Sequence, residues 1–267
     1  MIDHTLIIKQ LQNLNELFII YSEYTKMPFI ECDSETFDDQ VHVFADEKEL
    51  QEFAKPYTEQ KILLGARKHT KPQAAAAFYG MYGMGVNAIV FHNNGTTARI
   101  QLEQIMKKPD MEKIMAEPLP IINPTLTLSA LYFLQELYRP VKHDMAQLKE
   151  LEEEMIANLV RSKYILGMMT VNPDEKFDPK DPKQPKRVNY VKDKEGQMYL
   201  PIFSDVTEFR KFHRENVKKM GMAVVTFDKL PKTIIKEAKG LVLNPASYRL
   251  QIGTEQLGKI VAANFEN

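Results

Sequence analysis

Few residues in this chain have the types and spacing that chemistry demands. Gly80-Met81-Tyr82-Gly83-Met84-Gly85 has the glycine density of a phosphate-cradling loop. It follows an expected helix and precedes an expected strand, so it offers the negative end of a helix dipole where anion sites use the N-terminus. A helix stop with a flexible connection fits that context better. His4, His42, His69, His92, His143 and His213 never fall two to four residues from one another or from Cys32, so no local metal motif exists and neither metal nor cofactor is expected. Cys32, the single cysteine, would need a histidine folded beside it to act as a nucleophile, and it reads as small apolar filler in a strand. Asp38-Asp39 and Glu152-Glu153-Glu154 are paired carboxylates. The first pair is expected in a wet loop and the second on a helix face beside Leu151 and Met155, with nothing to shift a pKa. Arg67-Lys68-His69-Thr70-Lys71 is the densest basic patch, but it lacks the interleaved aromatics that base stacking requires and reads as a loop end. No catalytic residue emerges, and the expectation is a protein that is not an enzyme.

Composition narrows the partners. Lys and Arg total 35 against 36 Asp and Glu, for a net charge of -1, so no long-range field draws phosphate backbones or anionic lipid. Nucleic acid and membrane surfaces are not expected partners. Hydrophobic residues at 44% and charged residues at 27% are those of a folded chain. No apolar run approaches the ~20 residues of a membrane span. The N-terminal MIDHTLIIKQLQNL lacks a basic region followed by a continuous apolar run, and with one cysteine this suggests a cytoplasmic location.

The elements that would position any site are written twice. VHVFADEKELQEF from Val41 and LPIFSDVTEFRKF from Leu200 stand 159 residues apart, pairing Phe44 with Phe203, Asp46 with Asp205, Glu49 with Glu208 and Phe53 with Phe212. In each copy an apolar strand runs into D-x-x-E, whose Asp caps a helix and whose Glu is expected to bond back to the cap's own N–H. KILLGA and MAVVTF follow as candidate buried strands, then Pro72 and Pro231 as first-turn prolines of helices ending at Gly80 and Gly240. Hairpins come next, through Asn94-Gly95 in one copy and Asn244-Pro245-Ala246-Ser247 in the other. Strict alternation places Ile100, Leu102, Leu250 and Ile252 inward and Arg99, Gln101, Arg249 and Gln251 outward, at an offset of 150. Leading helices are matched through Leu11, Leu14 and Phe18 with Leu148, Leu151 and Met155, at an offset of 137.

The expected fold is α+β: two tandem pseudo-repeated units, each a small mixed or antiparallel sheet with flanking helices, at 1–117 and 141–267, joined by a helical connector at 118–140. Counting from Ile30 and Ile165 to the two Phe positions gives the second unit 24 extra residues, a charged Pro-rich excursion at 171–197 expected to be exposed and mobile. The connector TLTLSALYFLQELY, preceded by Asn123-Pro124, is apolar on more than one face. It is expected to wedge between the units, with a homodimer contact as the alternative.

The second unit, through YLPIFSDVTEFRKF and GLVLNPASYRLQIGTEQL, resembles the SseB family, bacterial proteins named for an enhanced-serine-sensitivity phenotype. The resemblance covers roughly Lys163 to Val261, and its marks are Pro-x-Phe-Ser-Asp, aromatic residues three apart in the next helix, and Gly-Leu-x-Leu-Asn-Pro. The first unit joins only through the repeat, with Val43-Phe44 lacking the proline and His92-Asn93-Asn94-Gly95 in place of Asn-Pro. The resemblance implies an α+β domain without established catalytic residues. Family members carry one such domain ahead of a different C-terminal one, whereas this chain is read as carrying two. The function expected is that of a non-enzymatic interaction or regulatory protein. It would bind a protein or peptide through duplicated surfaces, with Arg99, Gln101, Arg249 and Gln251 as candidate contacts because arginine grips carboxylates bidentately. The alternative is a small-molecule binding protein or enzyme using the cleft between units.

Overall fold

The computed structural model describes residues 4–107, 121–172, 177–178, 181 and 183–265. The chain divides into two compact units, one of residues 1–114 with 127–151, the other of 115–126 with 152–267. The expected connector is therefore split between the two groups.

In the first unit α1 (His4–Asn13) leads into β1 (Glu16–Ser22), β2 (Glu31–Cys32), β3 (Asp39–Phe44), α2 (Glu47–Glu59), β4 (Leu64–Thr70), α3 (Lys71–Gly83), β5 (Ala88–Asn93), β6 (Thr96–Gln101) and α4 (Leu102–Ile105). The strands lie in the order β4-β1-β3-β5-β6, with β2 beside β3. Among the described residues only the β3–β5 pair is parallel. Next come α5 (Pro124–Leu137) and α6 (Met145–Arg161). In α5, Leu126, Ala130, Leu131, Phe133 and Leu134 are all buried, as its apolar faces require. Tyr132 and Gln135 tie it to the first unit: Tyr132 donates to Asp39 at 2.6 Å, and Gln135 exchanges two bonds with the backbone of Ile30.

The second sheet uses β7 (Lys163–Thr170), β8 (Lys186–Val188), β9 (Val191–Lys192), β10 (Met198–Phe203), β11 (Met220–Thr226), β12 (Gly240–Leu243) and β13 (Leu250–Gly253). Their order is β11-β7-β10-β12-β13, with β8 beside β7 and β9 beside β10, and again one pair, β10–β12, is parallel. Helices α7 (Val206–His213) and α8 (Thr254–Phe265) flank it. On one side Ile121, Ile165, Phe203 and Phe209 form a core against which Val206, Phe212, Met220 and Met222 pack. Phe44 and Phe203 are both fully buried, each on the strand that has the antiparallel neighbour on one side and the parallel one on the other.

Several local expectations are corrected. Phe18 lies in β1 opposite Phe44, as Ile165 lies opposite Phe203, so Phe18 matches Ile165 and not the helical Met155. Measured from Phe18, the second unit is 12 residues longer before its central strand, not 24. The described part of the excursion is ordered: β8 and β9 join the sheet, and the Phe177 ring occupies the space a side chain at Gly221 would need. Residues 173–176, 179–180 and 182 lie outside the described ones. KILLGA and MAVVTF feed β4 and β11, which are edge strands of partial exposure, not buried ones.

The glycine boundaries also shift. α3 runs through Gly80 to Gly83, and the left-handed Gly85 follows its cap at Met84. Pro231 sits in a 3-10 turn (Phe227–Thr233), and Gly240 opens a strand. Gly240 must be glycine because a Cβ there would stand 2.0 Å from the carbonyl oxygen of Ile252.

Candidate functional site

The D-x-x-E repeat builds the sheet's hairpin end in both units. Asp46 accepts from the N–H groups of Lys48 and Glu49, and Asp205 from that of Glu208 at 2.9 Å, as N-caps do. The glutamates do not return to the cap. Glu49 accepts from the N–H of Gly95, and Glu208 from the hydroxyl of Ser247 at 2.6 Å, so each clamps the following hairpin turn. Those turns need left-handed backbone, at Asn94 (φ 51°) and Gly95 in one and at Asn244 (φ 50°) in the other. Asn244 is buried and fully engaged: it accepts from the N–H of Ser204 at 3.0 Å and donates to the hydroxyls of Ser204 and Tyr248.

Strand register shows what the first unit does at the same places. His42 matches Pro201, and His92 matches Asn244. The two motif positions therefore hold a histidine pair, with His42 Nδ1 at 2.8 Å from His92 Nε2. His42 Nε2 meets Glu31 Oε2 at 2.9 Å, Tyr57 donates to Glu31 Oε1 at 2.6 Å, and Thr97 Oγ1 lies 3.2 Å from His92 Nδ1. All four ring nitrogens thus have a partner, whichever of them carries the shared proton. Burial, and after it the charge of His42, holds His92 down at about 4. Burial would raise Glu31, but the bonds from His42 and Tyr57 outweigh it and keep the carboxyl below its usual range. His42 and His92 are only 7% and 8% exposed, and their ring nitrogens are taken up within this network. Among the described residues no group of three or more His, Cys, Asp or Glu is placed to hold a metal.

The outward polar row divides between two environments. Arg99 and Gln101 are brought together over the β2–β3 hairpin loop. Arg99 Nη1 lies 3.0 Å from Asp33 and donates to Thr36 Oγ1 at 2.6 Å, its Nε is 3.5 Å from Asp38, and Gln101 donates to the same Asp38 carboxylate. Asn87 bridges Asp38 and the N–H of Asp39. The Thr36 backbone and hydroxyl lower Asp33 further, with Arg99 adding to the effect. Asp38 and Asp39, expected in a wet loop, are thus both engaged. This lattice holds Phe37 at the loop tip, 77% exposed and with left-handed backbone (φ 58°). No sequence pattern marked Phe37.

In the second unit Arg249 and Gln251 are exposed. The ladders place Gln251, not Arg249, opposite the position of Arg99, and Arg249 precedes β13 with φ 52°. The true offset is 152. Cys32 is in a strand, as expected, but exposed; slight burial and the neighbouring Asp39, Asp33 and Asp38 raise its thiol pKa. That opposes nucleophilic use. The basic run at 67–71 is mainly edge strand: Arg67 lies over the Tyr21 ring at 4.0 Å and Lys68 pairs with Glu16.

Fold and site together define a protein of two α+β units with the same strand order, one carrying the Pro and Asn of the motif and the other a histidine pair at those positions. Residues 143–258 match the model of the SseB protein N-terminal domain, and the SseB family resemblance is shown over that stretch. No curated protein is significantly similar in sequence. Among solved structures, Tic22 from Plasmodium falciparum is 12% identical over 98% of each chain with a TM-score of 0.21. Anabaena Tic22 (protein transport) is 12% identical over 87% of this chain and 86% of that one, also at 0.21. No helix among the described residues is long and apolar enough to cross a membrane.

Proposed function

We propose that this is a non-enzymatic interaction protein that holds a protein or peptide partner. The observation that carries the reading is Phe37. An aromatic ring 77% exposed on a loop fastened by two carboxylates, an arginine and a glutamine gives a large contact area with little entropy left to lose. The candidate contacts take different parts: Arg99 and Gln101 pre-organise the Phe37 loop, while Arg249 and Gln251 offer their own donors on the second unit. A cytoplasmic setting suits the single exposed thiol.

The test is affinity capture with the intact chain beside Phe37→Glu and the double variant Arg249→Ala/Gln251→Ala. Both are expected to keep the wild-type circular dichroism and Tm, and Phe37→Glu to lose the partner held by the wild type. A partner retained in full by every variant overturns the reading. A thermal-shift screen against amino acids and nucleotides gives the opposing result if one small molecule raises the midpoint specifically.

A further inference from the structure

The edges of the two sheets are guarded unequally. β4, the outer strand of the first sheet, reads LGARKHT and carries Arg67 and Lys68. At the opposite edges, β6 carries Arg99, and β13 is only four residues long. Charge and shortness are the devices that keep edge strands from pairing with other chains. β11 has neither. Its seven residues, Met220-Gly221-Met222-Ala223-Val224-Val225-Thr226, contain no charge and no proline, and among the described residues it joins a ladder on one side only, with β7. Val224 is 43% exposed at its middle.

We infer that β11 is a homotypic docking edge, pairing antiparallel with β11 of a second copy about a twofold axis at Ala223. The composition of the strand and its flanks argues for a second copy as occupant. In that register Val224 of each copy lies across from Met222 of the other, which covers the exposed valine, and Gly221 lies across from Val225. Lys218 and Lys219 precede the strand, and Asp228 and then Lys229 follow it. In that register Asp228 of each copy comes to the end that holds Lys218 and Lys219 of the other, whereas a parallel pair would set the two lysine pairs side by side. A net charge of -1 on the whole chain opposes association little. The pairing joins two seven-stranded sheets into one continuous sheet and satisfies the outer backbone groups of β11.

The test uses the full chain with Cys32→Ser as background, so that no native thiol interferes. Light scattering across a concentration series into the hundreds of micromolar should show reversible dimerisation. Val224→Lys should leave the chain monomeric while circular dichroism and Tm stay at wild-type values. Ala223→Cys should form a disulfide-linked dimer under mild oxidation, because directly opposed Cβ atoms fall near disulfide range. A wild-type chain that stays monomeric throughout overturns the proposal. So does a dimer that survives Val224→Lys or leaves Ala223→Cys unlinked. None of these results depends on the Phe37 loop, so this inference and the proposed function fail separately.

Discussion

Replacing Asn244 tests how the SseB-type turn is held. Its side chain makes three bonds, to the N–H of Ser204, the hydroxyl of Ser204 and the hydroxyl of Tyr248, from a residue 1% exposed. Asn244→Ala leaves the Ser204 N–H without its acceptor at a cost of about 1–3 kcal/mol, and loses two hydroxyl contacts of about 0.5–1.5 kcal/mol each. Alanine must also hold φ at 50°, which adds about 1–2 kcal/mol. Since neighbours relax into the space, the low end of each range applies, and a total of about 3–4 kcal/mol is expected. Asn244→Gly loses the same bonds without the left-handed penalty and should be milder by about 1 kcal/mol. A chain of two units need not unfold in one step, so the readout is hydrogen exchange of the backbone amides in β12 and β13, read against urea. Equal losses for Ala and Gly would refute the backbone part of the argument. A loss under about 1 kcal/mol for Ala would refute the claim that these bonds hold the turn.

Three other predictions follow from the same geometry. Glu208→Ala and Ser247→Ala should each weaken the second unit, and a double-mutant cycle should return a coupling of about 1–3 kcal/mol for their 2.6 Å bond; additive losses would remove the clamp. Acid should destabilise the first unit through His92. Its folded value is about 4, against about 6.5 in the unfolded chain. The unfolded state therefore takes the proton first, and this contribution to stability is complete above pH about 6.5 and lost progressively down to pH about 4, by about 3 kcal/mol. His92→Asn, the residue at the matching place in the second unit, should flatten that slope in pH-dependent urea melts, and an unchanged slope would contradict the assignment. Gly167→Ala should destabilise the second unit by about 1–3 kcal/mol in thermal melts, because its Cβ would fall 2.9 Å from the Phe209 ring and 3.0 Å from His213 Nε2; wild-type stability would show that the Phe209 helix yields freely.

What the sequence disclosed, and what it hid, follows the range of each signal. Local signals read correctly: Asp46 and Asp205 as caps, Asn94-Gly95 as the hairpin, Pro124 as a helix start, and alternation placing Ile100, Leu102, Leu250 and Ile252 inside. Alternation has a period of two and cannot detect a shift of two, which is why it aligns Arg249 with Arg99 although Gln251 occupies that register. The spacing Leu11, Leu14, Phe18 satisfies a helical stripe, yet α1 ends at Asn13 and Phe18 belongs to β1. Whether a strand is edge or centre depends on sheet order, which no short window contains, so the apolar runs that feed β4 and β11 look like buried strands although both lie at sheet edges. The histidine pair was hidden by 50 residues of separation. Its signal was nonetheless present, since the offset that aligns Phe44 with Phe203 also aligns His42 with Pro201.

The two units agree in strand order and in the Glu clamp on the hairpin turn, and they disagree in three places that face different tasks. Where the second unit closes its turn with buried Asn244, the first places His92 in a chain reaching Glu31 and Tyr57. Where the second leaves β11 bare, the first charges β4 with Arg67 and Lys68. Where the second exposes Arg249 and Gln251, the first spends Arg99 and Gln101 on fastening Phe37 in place. These differences leave the strand order the same in both units, because the residues concerned sit at turns, edges and the outward face. A fold that tolerates such exchange at its rim can carry two distinct contact surfaces on one scaffold. On this view the Phe37 loop and the β11 edge are separate surfaces, and altering either should leave the other at full strength.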